Sequence, residues 1–149
     1  MFPDHRMEFV EGEVGEYIWE YRNKDGSRDM RVNGNRVTVN TKAENDWLTA
    51  IFRIPYGHSW IGANDIATTN TWVWDNGTTD NDNGLTDNIC GSNGCPNSNA
   101  TWADNITRKW NSDEPNRNGA SCGYIWTTSG TWDDVACSGS KYAIIEFDL

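Results

Sequence analysis

The chain has 149 residues and a formal net charge of −10. That length fits one domain with a buried core, and so acidic a chain does not suit a nucleic-acid phosphate backbone. No apolar run approaches the roughly 20 residues that a membrane helix needs. Asn, Asp, Thr, Gly and Trp are abundant while Leu, Lys and Arg are scarce, which is the profile of a loop-rich, solvent-facing recognition domain. Met1-Phe2-Pro3-Asp4-His5 is not a charged stretch before an apolar one, so a secretory leader is not expected in it. Met1 is expected to open a domain taken from a longer parent.

Residues 1–15 are acidic and aperiodic and are expected to be an extension or linker, with the domain proper running over 16–149. Glu16 to Tyr21 alternates aromatic and polar residues and predicts a strand, followed by a turn at Lys24-Asp25-Gly26. Ser27 to Val32 predicts a short helix with Ser27 as N-cap. Val37 to Val39 predicts a short strand or extended segment. Thr41, with Glu44 three positions on, predicts a capping box opening a second helix whose apolar face is Trp47, Leu48 and Ile51. Ser59–Ala63 and Thr71–Trp74 predict two strands of one sheet with their tryptophans in the core. The stretch from Asp75 to Asp104 is a long Asn/Asp/Gly-rich loop. Within it Asp80-Asn81-Asp82-Asn83-Gly84 lacks the glutamate that an EF-hand loop places at its end, and it reads as a solvated polar loop. Asn76, Asn99 and Asn105 each open a glycosylation sequon.

The four cysteines stand at short spacings, Cys90 near Cys95 and Cys122 near Cys137. There is no CxxC pair, and His5 and His58 lie far apart, so zinc is not indicated. Two disulfides imply an oxidising compartment, hence an extracellular or cell-surface location.

The richest stretch runs from Trp110 to Cys137. It holds Glu114-Pro115-Asn116 and then Trp132-Asp133-Asp134 between Cys122 and Cys137. Oxygen-bearing side chains around a short cysteine-bounded loop are what a hard cation such as Ca²⁺ requires. A cis bond before Pro115 would let Glu114 and Asn116 point the same way. This stretch resembles the binding half of a C-type lectin domain, with its EPN and WND motifs. The resemblance extends to Trp60-Ile61-Gly62 with Trp72-Val73-Trp74 and Asn76-Gly77, to Glu44-Asn45-Asp46-Trp47-Leu48, and to the tail Ala143-Ile144-Ile145-Glu146-Phe147.

The resemblance implies an α+β C-type lectin-like fold, two helices flanking small antiparallel sheets with a long loop region. It implies a Ca²⁺ held by Glu114, Asn116, Asp133 and Asp134. Two vicinal equatorial hydroxyls of a mannose-, glucose- or fucose-type sugar would complete the shell. Two positions depart from the family pattern. A further glutamate expected just before Cys122 falls at Ala120, and the WND asparagine is Asp133. Three carboxylates, Glu114, Asp133 and Asp134, preserve the charge, and Asn118 offers the displaced amide. Glu44 and Glu146 match a second, structural calcium position; two surface carboxylates are the plainer reading. The family's long-range disulfide is missing, with Met30 and Ile145 at its two positions, so an apolar contact is expected there instead. Cys122–Cys137 keeps the other family bond, and Cys90–Cys95 would pin the long loop. Trp110 suits either a sugar-stacking or a core position.

No Ser/His/Asp or Cys/His set and no phosphate-binding glycine loop appears, so a binding module is expected rather than an enzyme. The expected partners are sugars or cell-surface glycans, with no nucleic acid and no membrane insertion. The setting is an adhesion module, an adhesin of a larger extracellular multidomain protein. A protein-binding or ice-binding domain of the same fold is the alternative.

Overall fold

In the computed structural model the described residues are 5–11, 16–23, 25, 27–53, 57–78, 89–91 and 94–147. They form two sheets, antiparallel but for one short parallel strand, and one helix. The first sheet has the order β1-β2-β3-β9, from β1 (His5–Glu11), β2 (Glu16–Asn23), β3 (Arg28–Arg36) and β9 (Ile145–Phe147). The second has the order β5-β4-β6-β7, from β4 (Ser59–Asn64), β5 (Val73–Trp74), β6 (Cys122–Ile125) and β7 (Trp132–Val135). The short β8 (Tyr142–Ala143) pairs parallel with the start of β4, on the edge opposite β6. The helix α1 spans Lys42–Phe52.

The N-terminal third differs from expectation. His5–Glu11 lies inside the stretch read as an extension, yet it pairs along its whole length with β2. Ser27 does not cap a helix. Its N–H donates to the Asp25 carboxylate at 2.8 Å, an Asx-type turn, and Arg28–Arg36 continues as a strand against β2. One helix therefore stands where two were expected, among the described residues. A strand is the better solution because β2 pairs along β3 from Arg28 to Asn35, and β9 takes up the other side of its end at Gly34–Arg36. Met30 and Ile145 are not neighbours. Ile145 pairs with Arg36, while Met30, six residues earlier, pairs with Tyr21. Six strand residues span about 20 Å. Ile145 instead packs over Gly34, where an added Cβ would lie 2.9 Å from Ile145 Cγ2.

The helix start follows the sequence. Thr41 Oγ1 accepts from Glu44 N–H at 3.1 Å, and Glu44 Oε2 accepts from Asn40 N–H at 3.0 Å, one residue upstream of the usual capping-box partner. The buried face does not follow it. Leu48 is buried, but Trp47 and Ile51 are 60% and 49% exposed, and Asn45 is buried in their stead. Asn45 Nδ2 donates to Gly130 O at 2.7 Å, and its Oδ1 accepts from Trp132 Nε1 at 2.9 Å. Two satisfied bonds remove most of the cost of burying an amide.

The core is built on tryptophan. Trp132 meets Trp74, Trp102 and Trp110 edge-on at centroid distances of 5.6, 5.6 and 5.7 Å, and Trp110 meets Trp72 at 4.9 Å. Edge-to-face pairs place positive ring edges on negative faces. Trp60 is also buried. Gly62 lets β4 pass beneath the backbone of residues 36–37, because a Cβ there would stand 2.5 Å from Arg36 O. Arg36 grips both oxygens of Asp75 at 2.6 and 2.8 Å, and Asn64 Nδ2 donates to the same carboxylate at 2.9 Å. These buried contacts join the end of β3 to the turn after β5.

Candidate functional site

The strands β6 and β7 form a hairpin whose register sets Tyr124 opposite Asp133 and Gly123 opposite Asp134. The Cys122–Cys137 disulfide ties its open end. At the outer edge of β7 the chain returns alongside it. Trp132 N–H donates to Lys109 O at 2.7 Å, and Asn111 N–H donates to Trp132 O at 2.8 Å. This short pairing delivers Glu114, three residues on, to the edge of the strand. Successive strand residues face opposite ways, and a group arriving at the edge can reach both Asp133 and Asp134.

It does so. One oxygen from each of Glu114, Asp133 and Asp134 lies within 4.8 Å of the other two. The Glu114–Pro115 bond is cis, and Asn116 Nδ2 donates to Glu114 Oε1 at 2.9 Å. Asp134 is buried and accepts Asn116 N–H at 3.0 Å and Arg117 N–H at 3.3 Å. Asp133 accepts Asp134 N–H at 2.6 Å on one oxygen and the Tyr124 hydroxyl at 3.1 Å on the other. Glu114 Oε2 is buried with no hydrogen-bond partner. Burial, then the negative charge of Asp133 and the closeness of the Asp134 carboxylate, push Glu114 up from 4.5 to about 8. At neutral pH the metal-free cluster therefore holds a proton on Glu114. Burial likewise raises the Tyr124 phenol, and the Asp133 charge adds to it.

The donor set fits a calcium ion. Calcium–oxygen bonds are about 2.3–2.6 Å long, so oxygens within 4.8 Å of one another can all lie on one coordination sphere. Hard carboxylate oxygens are the appropriate ligands, and the orphaned Glu114 oxygen is aimed where a cation would satisfy it. Rotation of the Asn116 amide would add its oxygen.

Other predicted residues separate from this cluster. Asn118 is exposed on the same loop and makes no hydrogen bond among the described residues; Ala120 is exposed as well. Glu44 and Glu146 form a different pair beside residues 38–40. Glu146 Oε2 accepts Thr38 N–H at 3.3 Å, and burial, together with the negative charge of Glu146, raises the Glu44 pKa. Trp110 is fully buried, with its indole N–H on Ile89 O at 2.7 Å, so it is a core residue and not a stacking platform. Cys90 and Cys95 are bonded, and the three sequon asparagines are exposed. The Asp80–Gly84 run lies outside the described residues. Sequence reasoning missed Tyr124. Its signal was the hairpin register, which sets the one tyrosine of β6 across from Asp133.

The family model for the lectin C-type domain matches residues 29–147. Among solved structures the chain is similar to TC14, a C-type lectin from the tunicate Polyandrocarpa misakiensis, at 18% identity and TM-score 0.53, covering 78% of this chain and 80% of that one. It also aligns with the carbohydrate-recognition domain of the mouse scavenger receptor C-type lectin, at 14% identity and TM-score 0.49, covering 99% and 97%. The first likeness shows the fold; the second is too distant to add to it. A comparison with curated proteins found no match.

Proposed function

Because the chain belongs to the C-type lectin domain family, we propose that it is a calcium-dependent sugar-binding module that uses Glu114, Asn116, Asp133 and Asp134. The observation that supports this most strongly is the unpartnered buried oxygen of Glu114, one of three carboxylates within 4.8 Å of each other. Like charges held so close are unfavourable unless a proton or a cation neutralises them.

Bound there, a Ca²⁺ ion would orient and polarise two vicinal sugar hydroxyls. The chain's own groups supply the rest. Asp134, held by two backbone N–H groups, is a fixed ligand that needs no rearrangement. Asp133 is steered by Tyr124. Glu114 gives up its proton to become a ligand, and its second oxygen can accept from a hydroxyl. Asn116 is exposed and can donate to the same hydroxyl. The Glu114-Pro115-Asn116 order supports equatorial vicinal hydroxyls, as in mannose, glucose, N-acetylglucosamine or the equivalent pair of fucose. Asp133 in place of an asparagine removes one donor, so the mannose end of that range is disfavoured. Asn118 stands near enough in sequence to replace it. Glu44 and Glu146 are proposed as a second, structural calcium pair.

Two disulfides support an extracellular or cell-surface setting, and no helix among the described residues is long and apolar enough to cross a membrane. The proposed context is an adhesion module of a larger protein. A glycan array probed with and without EGTA tests the reading. Binding to vicinal-diol sugars that EGTA abolishes is expected. No sugar bound in saturating calcium would replace the reading with the protein-binding or ice-binding alternative.

A further inference from the structure

We propose that the pocket lined by His58, Ser140, Lys141 and Tyr142 is a second subsite beside the carboxylate cluster, and that it takes a negatively charged sugar unit, bearing a carboxylate or a sulfate ester. This rests on the cluster being a calcium and sugar site.

The pocket has a volume of about 450 Å³, within the range of small-molecule sites. Tyr124 does not line it but links its residues to the cluster, touching Lys141 and His58 with its ring and Asp133 with its hydroxyl. The phenol hydroxyl donates to Asp133 at 3.1 Å, while the Lys141 ammonium lies 4.2 Å from the centroid of the same ring. His58 stacks on Trp126 at 5.1 Å with 23° between the ring planes and sits 6.1 Å from Tyr124. The sheet explains the grouping. Ser59 pairs with both Ile125 and Tyr142, so His58, Trp126 and Lys141 are the residues next to one row of partners.

Lys141 sets the ligand's chemistry. It forms no ion pair among the described residues, in a chain of net charge −10. A lysine with no partner is commonly just solvated, but this one is laid over an aromatic face rather than extended into water, which fixes its position. An anion is the partner it lacks. Tyr142, 62% exposed, and the His58 ring offer flat faces to the C–H side of a sugar ring. A sugar held at Glu114, Asp133 and Asp134 is thus followed, across Tyr124, by a cationic and aromatic place for the next unit. A neutral unit would gain the ring contacts alone; an acidic unit adds a charge-assisted hydrogen bond.

Two measurements test this on the whole chain. Calcium-loaded protein is offered matched neutral, uronic-acid and 6-O-sulfated disaccharides. The acidic members should bind about tenfold more tightly, as one charge-assisted hydrogen bond allows. That preference should persist in Lys141→Arg and vanish in Lys141→Gln, with neutral binding equal in all three. Separately, sodium glucuronate and N-acetylglucosamine 6-sulfate are titrated in EGTA while the His58 and Tyr142 ring resonances are followed. Shifts that Lys141→Gln abolishes support the subsite, and the stronger of the two ligands identifies carboxylate or sulfate as its preferred anion. An acidic preference untouched by Lys141→Gln, or ring resonances that stay still, overturns it. Neutral sugars bound with calcium while the rings stay still would leave the calcium reading standing alone. Ring shifts with no calcium-dependent sugar would overturn the calcium reading and leave the pocket.

Discussion

Glu114→Gln separates the metal from the fold, because glutamine has the shape of the protonated glutamate. Glu114 has a folded pKa of about 8 against an ordinary 4.5, so the metal-free fold binds this proton more tightly than the unfolded chain does. The stability linked to it is full below the unfolded value and is lost as pH rises through 8. Near pH 4 without metal, parent and variant should melt together, since Glu114 is then largely neutral in the folded and the unfolded chain alike. Near pH 9 the parent gains a third charge within 4.8 Å of two others. Coulomb's law gives about 1 kcal/mol for such a pair in water and about 4 at an intermediate dielectric. The site is partly open to solvent, so the lower end applies, roughly 1–2 kcal/mol. At about 2–4 °C per kcal/mol for a chain of this size, the parent should melt about 2–8 °C below the variant. With calcium at 100 times its Kd the order reverses, because the parent gains about 2.7 kcal/mol, or about 5–11 °C, and Glu114→Gln gains little. Differential scanning calorimetry at both pH values, in EGTA and in calcium, measures all four states. An equal calcium shift in both proteins, or a variant that melts below the parent near pH 9 without metal, would refute the reasoning.

Two further outcomes are expected. Asp133→Asn restores the family triplet yet leaves only Glu114 and Asp134 as carboxylates, so calorimetric calcium affinity should fall. Adding Ala120→Glu, on an exposed loop position, should recover it and move sugar preference toward mannose, non-additively, because both act on one ion; unchanged affinity in Asp133→Asn alone would show that another oxygen supplies the ligand. Asn45→Ala leaves Gly130 O and Trp132 Nε1 without their partners, and urea denaturation should show a loss of about 2–5 kcal/mol; a loss under 1 kcal/mol would mean that the Asn45 bonds are replaced.

The site was more legible than the frame that carries it. Glu114, Asp133 and Asp134 stood in recognisable triplets, and the chain does bring them together. The Thr41 and Glu44 cap could be read because capping is local chemistry. Long-range choices could not be read. The β1 strand was hidden because its alternation is brief, Arg6 to Phe9 in an acidic stretch, and it is fixed by pairing with β2. Ser27–Val32 has a serviceable helix start, but pairing with β2 overrides it. Helical spacing offered Trp47 and Ile51 for burial, and nothing local marks Asn45 as the buried residue. Its partners lie 85 and 87 residues away in sequence.

The tryptophan cluster gives the molecule an optical handle. Indole transitions that are this close and oriented at 82–90° between planes around Trp132 couple as excitons, and the far-ultraviolet dichroism should carry a couplet that no isolated indole produces. Trp132 is the residue before Asp133. The amplitude of that couplet therefore reports the seat of the ligand pair directly, and it can be followed through a calcium titration with no label attached to the chain.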